Sequence, residues 1–395
     1  MTSYSRTPYP VQMISLQTVR TRRLPVLGAV AALTLVLAGC SDADTGDESP
    51  ATATSTASTA PSTSASGSST GVPALAEAFR ATLSDDQQDA IQLEYTFDNA
   101  QNWSNFPDAL LSGRGGGPGG GSSSSSGRVG LQTDSLSDDQ WDALEDLLAA
   151  ATGSAENEGF DEIMQHLDAD DYLADKGGGD AYGRGNFFIA YLGTPSDSGT
   201  WELQFGGHHL ALANTYQDGA LAGATPSFRG IEPFTTVEVD GEEVMPEQQE
   251  QEAFSALLGS LDSTQLSTAK LSSSFNDILL GPGDDWAFPE SSDGVTGSEL
   301  DEDQRALLLA AISTYVDDIN DADAATILAK YESELDDTSV AYAGTTDMTE
   351  TGDYIRIDGP SVWIEFSMQN GVVLDGAHPH AVWRDKETDY AGLTS

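Results

Sequence analysis

The chain has 395 residues, of which 64 are acidic and 16 are basic, and its formal net charge is −48. This charge excludes a nucleic-acid-binding protein, because phosphate contacts need a basic surface. Apolar residues make up 38% of the chain, which is too many for a disordered protein and enough for a packed core. A single cysteine excludes any disulfide within this chain.

The first 39 residues have the pattern of a bacterial lipoprotein signal peptide. A basic stretch (20–23) precedes an apolar run (24–37), which is too short for a permanent membrane-spanning helix. Residues 37–40 read Leu-Ala-Gly-Cys and resemble a lipobox, in which the cysteine becomes the lipidated first residue of the mature protein. We therefore expect a protein on the extracytoplasmic face of the cell membrane, anchored through a lipid on Cys40.

The remaining chain divides into a tether and one folded domain. Residues 40–72 are rich in Ser, Thr, Ala and Pro, a composition that cannot bury a core and is typical of a tether. Residues 73–391 contain regular apolar patterns and form the predicted domain. Within it, the Gly- and Ser-rich segment 113–127 is predicted to be a flexible loop.

Four helix starts share one pattern: a Leu, then a Ser or Asp at the N-cap, then a Gln three positions after the cap. The pattern occurs at 83–87, 136–140, 261–265 and 300–304. It predicts a capping box with a hydrophobic staple at each start. Helical periodicity extends over about 75–95, 137–170, 248–271 and 301–335.

Strand patterns occupy the segments between these helical blocks. Apolar and polar residues alternate along 201–205 and 361–367, and Gly359-Pro360 is a predicted hairpin turn between two strands. Asp240-Gly241 marks another turn. The sequence therefore predicts an α+β fold, a single domain with a mainly antiparallel sheet flanked by several capped helices.

Four of the five histidines form two pairs, His208 with His209 and His378 with His380. Residues two apart on a strand point to one face, so His378 and His380 could bind one ion. Adjacent residues on a strand point to opposite faces, so only one of His208 and His209 is expected to join them. Three imidazoles with an open fourth position are typical of catalytic zinc, with copper as the second choice. The fifth, His166, is expected at the surface of a helix.

Two carboxylates near these histidines are candidates for catalysis. Glu365 on a neighbouring predicted strand, or Asp385, could be a fourth ligand, an orienting partner or a general base. The competing interpretation is that the paired histidines only hydrogen-bond backbone groups in a packed sheet.

The arginines in the strand-rich regions suggest a second kind of site. Arg184, Arg229, Arg356 and Arg384 lie among Gly, Tyr and Trp. Their guanidinium groups could bind a small anionic ligand or form structural ion pairs with nearby aspartates. Both interpretations predict that these side chains are buried.

Six segments together resemble the domain of unknown function 3500 family. They are Tyr182–Phe187, Phe205–Leu210, Thr225–Phe228, Gly281–Gly283, Tyr354–Pro360 and His378–Asp385. The likeness extends from about Phe79 to Tyr390. It implies one domain and no particular activity, and it places the four paired histidines, Arg384 and Asp385 at motif positions of the family.

Two functions follow from these observations. The first is a metal-dependent hydrolase that uses the histidine cluster, with Glu365 or Asp385 moving a proton. The second is a non-catalytic lipoprotein that captures a metal ion or a small anionic ligand. The sequence identifies no protein partner for either function.

The lipoprotein prediction can be tested at Cys40. We expect the Cys40→Ser substitution to abolish lipidation, leaving a precursor that is unprocessed or released from the membrane fraction. Intact-mass analysis of the wild-type protein should show a lipid-modified cysteine at the mature N-terminus. An unmodified N-terminus at another position would contradict the prediction.

Overall fold

The computed structural model describes residues 71–108, 128–239 and 242–394. The predicted signal peptide, Cys40, nearly all of the tether, the whole loop at 113–127 and the turn at Asp240-Gly241 lie outside the described residues. The described part is an α+β domain with a mainly antiparallel sheet of twelve strands, as predicted.

The predicted caps start four of the nine helices in the described ranges. The nine helices of these ranges are α1 (Val72–Thr82), α2 (Asp85–Ile91), α3 (Phe97–Ala100), α4 (Asp138–Ala151), α5 (Gly159–Leu173), α6 (Gln248–Ser260), α7 (Ser263–Ala269), α8 (Glu302–Val316) and α9 (Asp321–Glu334). Among the helices of the described ranges, none combines the length and apolar character needed to cross a bilayer.

The strands form an earlier and a later group along the chain. They are β1 (Gln92–Leu93), β2 (Leu131–Gln132), β3 (Phe188–Leu192), β4 (Thr200–Gly207), β5 (Leu210–Gln217), β6 (Ala220–Gly223), β7 (Ser227–Gly230), β8 (Val237–Val239), β9 (Glu242–Val244), β10 (Val295–Thr296), β11 (Ser339–Ala343), β12 (Tyr354–Asp358), β13 (Val362–Asn370) and β14 (Ala377–Asp385). The predicted hairpin at Gly359-Pro360 joins β12 to β13.

One order of elements occurs twice in the chain. The second half consists of two helices, a two-residue strand, two more helices and a four-stranded antiparallel meander. The first half contains the same series, with β1 and α3 inserted before its two-residue strand β2 and with β6 inserted between β5 and β7. The meanders are β3-β4-β5-β7 and β11-β12-β13-β14. They join at the centre of the sheet, where β7 pairs with β14 in antiparallel orientation.

The four capping boxes explain why one sequence pattern recurs. All four form as predicted. In addition, the capping glutamines hydrogen-bond in pairs: Gln140 donates to Gln87 over 3.1 Å, and Gln304 donates to Gln265 over 2.9 Å. Each half of the domain therefore uses its two caps to join two helix starts.

Helices cover one face of the sheet in two hydrophobic clusters. In the first half, Leu147 of α4 packs with Trp201 and other side chains of β3–β5. In the second half, Phe254 of α6 and Tyr315 of α8 pack with Phe366 of β13. Alternation along the strands sends the remaining side chains to the opposite face, as the period of two requires.

The opposite face of the second half is covered by the segment 271–294, which two buried charges hold in place. Glu365 accepts hydrogen bonds from the backbone nitrogens of Leu279 and Leu280 over 2.7 and 2.9 Å. Arg384 donates to the carbonyl of Leu280 over 3.0 Å and to Asp285 and Asp389, each over 3.0 Å. The segment is thus attached by satisfied polar groups in the interior.

We expect the Arg384→Met substitution to lower the free energy of unfolding by about 3–5 kcal/mol, because it leaves Asp389 buried without its cation. Arg305→Met is the matched control, since Arg305 pairs with the exposed Asp336 and should cost less than about 1 kcal/mol. Urea unfolding of the two variants measures the difference. Equal losses would contradict the role assigned to Arg384.

Candidate metal centre

His208 and His209 form the two-residue turn between β4 and β5, whose ends pair at Gly207 and Leu210. The turn is tight, with the nitrogen of His209 donating to the carbonyl of Gly207 over 2.9 Å. His209 has a φ of 119°, a region that favours glycine and costs other residues about 1–3 kcal/mol. Strain of this kind concentrates at functional sites, and here it directs one imidazole toward β14.

A glycine lies between this turn and the second histidine pair. Leu210 pairs with Arg229 on β7, and the next residue, Gly230, pairs with His380 on β14. A Cβ atom at Gly230 would lie 3.3 Å from the imidazole of His380. The absence of a side chain at 230 therefore leaves room for His209 and His380 to meet across β7.

Three imidazoles converge at this point. The Nε2 atom of His380 lies 3.3 Å from that of His378 and 3.3 Å from that of His209. All three side chains are buried, with potential ligand atoms within 4.8 Å of one another. Tetrahedral zinc with Zn–N bonds of about 2.0–2.1 Å separates its nitrogen ligands by about 3.3 Å, so the spacing fits a single ion.

Carboxylates orient two of the four histidines. Asp277 lies 3.0 Å from Nδ1 of His380, which leaves Nε2 to face the other imidazoles. Asp170 lies 2.7 Å from Nδ1 of His208 and also accepts the backbone N–H of Gly183. The His208–Asp170 pair lies beside the three converging imidazoles.

The position of His208 corrects one expectation. The rings of His208 and His209 stack with their centroids 3.6 Å apart, so the prediction that they point to opposite faces is wrong. Side chains alternate only within an extended strand, whereas these two residues form the turn itself. His208 is therefore a neighbour of the three-imidazole cluster.

Burial disfavours the charged form of two of the three imidazoles, those of His209 and His378. Desolvation lowers the pKa of His209 well below its ordinary value, and repulsion by the other imidazoles lowers it further. The same causes, desolvation first, lower the pKa of His378 to about 3. Neutral imidazole is the form that binds metal ions, so His209 and His378 are in their metal-binding form at neutral pH.

The two carboxylates proposed for catalysis are directed elsewhere. Glu365 accepts four hydrogen bonds: those of the 271–294 segment and those of Tyr354 and Trp363 over 2.7 and 2.9 Å. Asp385 accepts from the hydroxyl of Tyr331 over 2.7 Å and from two backbone nitrogens of the following turn. Both side chains are thus occupied in holding the fold together.

The four arginines form intramolecular ion pairs, which is the structural interpretation of their pattern. Arg229 pairs with Glu162 and Asp318, Arg356 with Asp293, Arg384 with Asp285 and Asp389, and Arg184 with Asp168 and Asp171. The predicted burial is found for Arg229, Arg356 and Arg384 but is wrong for Arg184, whose side chain is 34% exposed.

Sequence reasoning missed several groups around the histidines. Asp277 lies in a segment without regular structure, and Asp170 is one of several acids on α5, so neither carries a distinctive local signal. The expectation that His166 lies at the surface is wrong, since it is 2% exposed and lies on the buried side of α5.

The positive φ of His209 leads to a prediction about the stability of variants at this position. We expect His209→Gly to be more stable than His209→Ala by about 1 kcal/mol, because both remove the ring and only glycine tolerates the positive φ. At His378, on a regular strand, the order should reverse, with glycine less stable than alanine by about 0.5–1 kcal/mol. Urea midpoints in the presence of a chelator measure both pairs; an equal midpoint for the two His209 variants would show that the turn is unstrained.

Comparison with known proteins gives one result for the whole domain. The model of a family described as "Protein of unknown function (DUF3500)" matches residues 66–392. No curated protein matches the chain, and no solved structure matches it.

Proposed function

The chain belongs to the DUF3500 family, whose description assigns no activity, and from the histidine centre we propose a zinc-dependent hydrolase. His209, His378 and His380 would hold the ion. In this proposal the protein is a lipoprotein anchored through Cys40, which puts the centre outside the cytoplasmic membrane.

The observation that carries the proposal is the 3.3 Å spacing of Nε2 atoms on either side of His380. Three protein nitrogens leave a fourth tetrahedral position for water or substrate, which is the pattern of catalytic zinc rather than of closed structural sites. Imidazole also suits copper, and a metal-content measurement distinguishes the two ions. Bound zinc supplies a Lewis acid that polarises an oxygen in that position.

His208 and Asp170 supply the proton acceptor in this proposal, in place of Glu365 and Asp385. Asp170 holds Nδ1 of His208, so that Nε2 can take a proton from a water molecule beside the cluster. Asp170 would stabilise the imidazolium that forms, as carboxylates do in His–Asp pairs. The rings of Tyr182 and His208 pack nearly at right angles with their centroids 4.7 Å apart, and this contact restricts the orientation of His208.

The negative charge of the protein limits the class of substrate that we propose. The chain carries a net charge of −48, and the four arginines considered above are paired with carboxylates. Such a surface repels polyanions and lowers their rate of association. We therefore propose a neutral or cationic ester or amide as substrate, rather than a phosphate ester.

One observation favours capture of a metal ion without catalysis. His209, His378 and His380 are only 6%, 2% and 7% exposed, which restricts access of a large substrate to the centre. A binding lipoprotein would use the same three ligands and would show no turnover.

Metal content tests the site itself. After equilibration with Zn²⁺ and removal of unbound ion, we expect His378→Ala to contain one zinc equivalent fewer than the wild type, because two imidazoles hold zinc far more weakly than three. His208→Gln is the matched control and should keep the ion. Identical zinc content in wild type and His378→Ala would contradict the site.

Turnover distinguishes the hydrolase from the capture protein. With zinc loaded, we expect hydrolysis of chromogenic p-nitrophenyl esters, and a fall in kcat of about 10²–10⁴-fold in His208→Gln, the usual contribution of a general base. The zinc content of that variant should stay unchanged. A wild-type protein that binds zinc but hydrolyses none of a panel of ester and amide substrates would reject the hydrolase and support capture.

A further inference from the structure

A second group of potential ligands lies on the helix-covered face, close to Arg229. Glu162 and His166 are one turn apart on α5, and Glu247 lies immediately before α6. Their ligand atoms all lie within 4.8 Å of one another. Glu162 is 1% exposed, His166 2% and Glu247 1%, so the group is fully inside the protein.

His166 is oriented into this group without a partner for its inner nitrogen. Its Nδ1 donates to the carbonyl of Glu162 over 2.9 Å, because a carbonyl only accepts, and this leaves the lone pair on Nε2. Nε2 is buried without a hydrogen bond and lies 3.6 Å from Oε1 of Glu247. A buried imidazole whose ring nitrogen has a lone pair but no hydrogen-bond partner is suited to bind a metal ion.

The carboxylates of the group are equally unsatisfied. One oxygen of Glu162, both oxygens of Glu247 and one oxygen of Glu250 are buried without a hydrogen-bond partner. Native structures leave few buried polar atoms in this condition, and each such atom calls for an explanation such as an ion. Glu162, His166 and Glu247, each with at least one such atom, are the three residues whose potential ligand atoms lie within 4.8 Å of one another.

The nearby cation does not compensate these groups. Arg229 donates to the other oxygen of Glu162 over 3.2 Å and to Asp318 over 2.8 Å. Its charge is therefore shared by two carboxylates before Glu247 and Glu250 are considered. A divalent cation would balance the negative charge that Arg229 leaves uncompensated.

We propose that Glu162, His166 and Glu247 hold a second, structural metal ion, a divalent transition metal such as Mn²⁺ or Zn²⁺. The imidazole nitrogen separates this donor set from the all-oxygen sets of Ca²⁺ and Mg²⁺. The ion would join α5 of the first half of the domain to α6 of the second half. A cavity of about 400 Å³ borders Glu162 and Glu247 and provides a route of entry.

The test uses His378→Ala as background, so that only the second site can bind. We expect this protein to retain one tightly bound equivalent of Mn²⁺ or Zn²⁺ after dialysis, and to lose it when Glu247→Gln or His166→Gln is added. Glu252→Gln is the matched control: it removes the same charge from an exposed position of α6 bordering the same cavity, and the ion should remain.

Thermal unfolding gives a second measurement that does not depend on recovery of the bound ion. In the same His378→Ala background, saturating Mn²⁺ or Zn²⁺ should raise the Tm of the Glu252→Gln protein by at least about 2 °C and leave that of the Glu247→Gln protein unchanged. In chelator, Glu247→Gln should be at least as stable as the control, since it loses a repulsive charge. Equal metal content and equal Tm shifts in both variants would overturn the site; a shift that Ca²⁺ or Mg²⁺ produces equally well would overturn the transition-metal assignment.

Discussion

The antiparallel pairing of β7 with β14 is the interaction on which the rest of the structure depends. It joins the last strands of the two four-stranded meanders, which lie about 150 residues apart in the sequence. Its register places Gly230 beside His380 and Arg229 beside Ala381. Because side chains alternate along a strand, this single pairing presents a glycine to one candidate site and an arginine to the other. A slip of one residue would exchange the two faces and disrupt both sites.

Buried charge in this protein occurs in two forms, and the difference separates structural groups from candidate ligands. Glu365 receives four hydrogen bonds, and Arg384 has carboxylate and carbonyl partners on the segment it holds. Glu247 receives none on either oxygen. A buried polar network whose hydrogen bonds are all made rigidifies the core. A network with unpaired groups lowers stability unless a bound ion or water supplies the missing partners. For this reason Glu365 has no role in the proposed hydrolysis, whereas Glu247 is a proposed ligand of the second metal ion.

The two proposed centres have different ligands and suit different tasks. The histidine centre offers three nitrogens and an open position, next to a His–Asp pair that can accept a proton. The second centre is rich in oxygen and lies where the two helical groups meet, so an ion there would stabilise the junction rather than react. The strain at His209 fits this division, because a protein retains strain where it orients a reacting group.

The sequence by itself determined the local features: the α+β class, all four capping boxes, the β12–β13 hairpin, and the common face of His378 and His380. Each follows from a period or a motif a few residues long, which the chain enforces locally. The tertiary structure alone decided that His209 joins the cluster, that His166 is buried, and that Asp277 and Asp170 orient histidines. These depend on a turn conformation and on pairing between strands far apart in the sequence, and no local pattern encodes such a register.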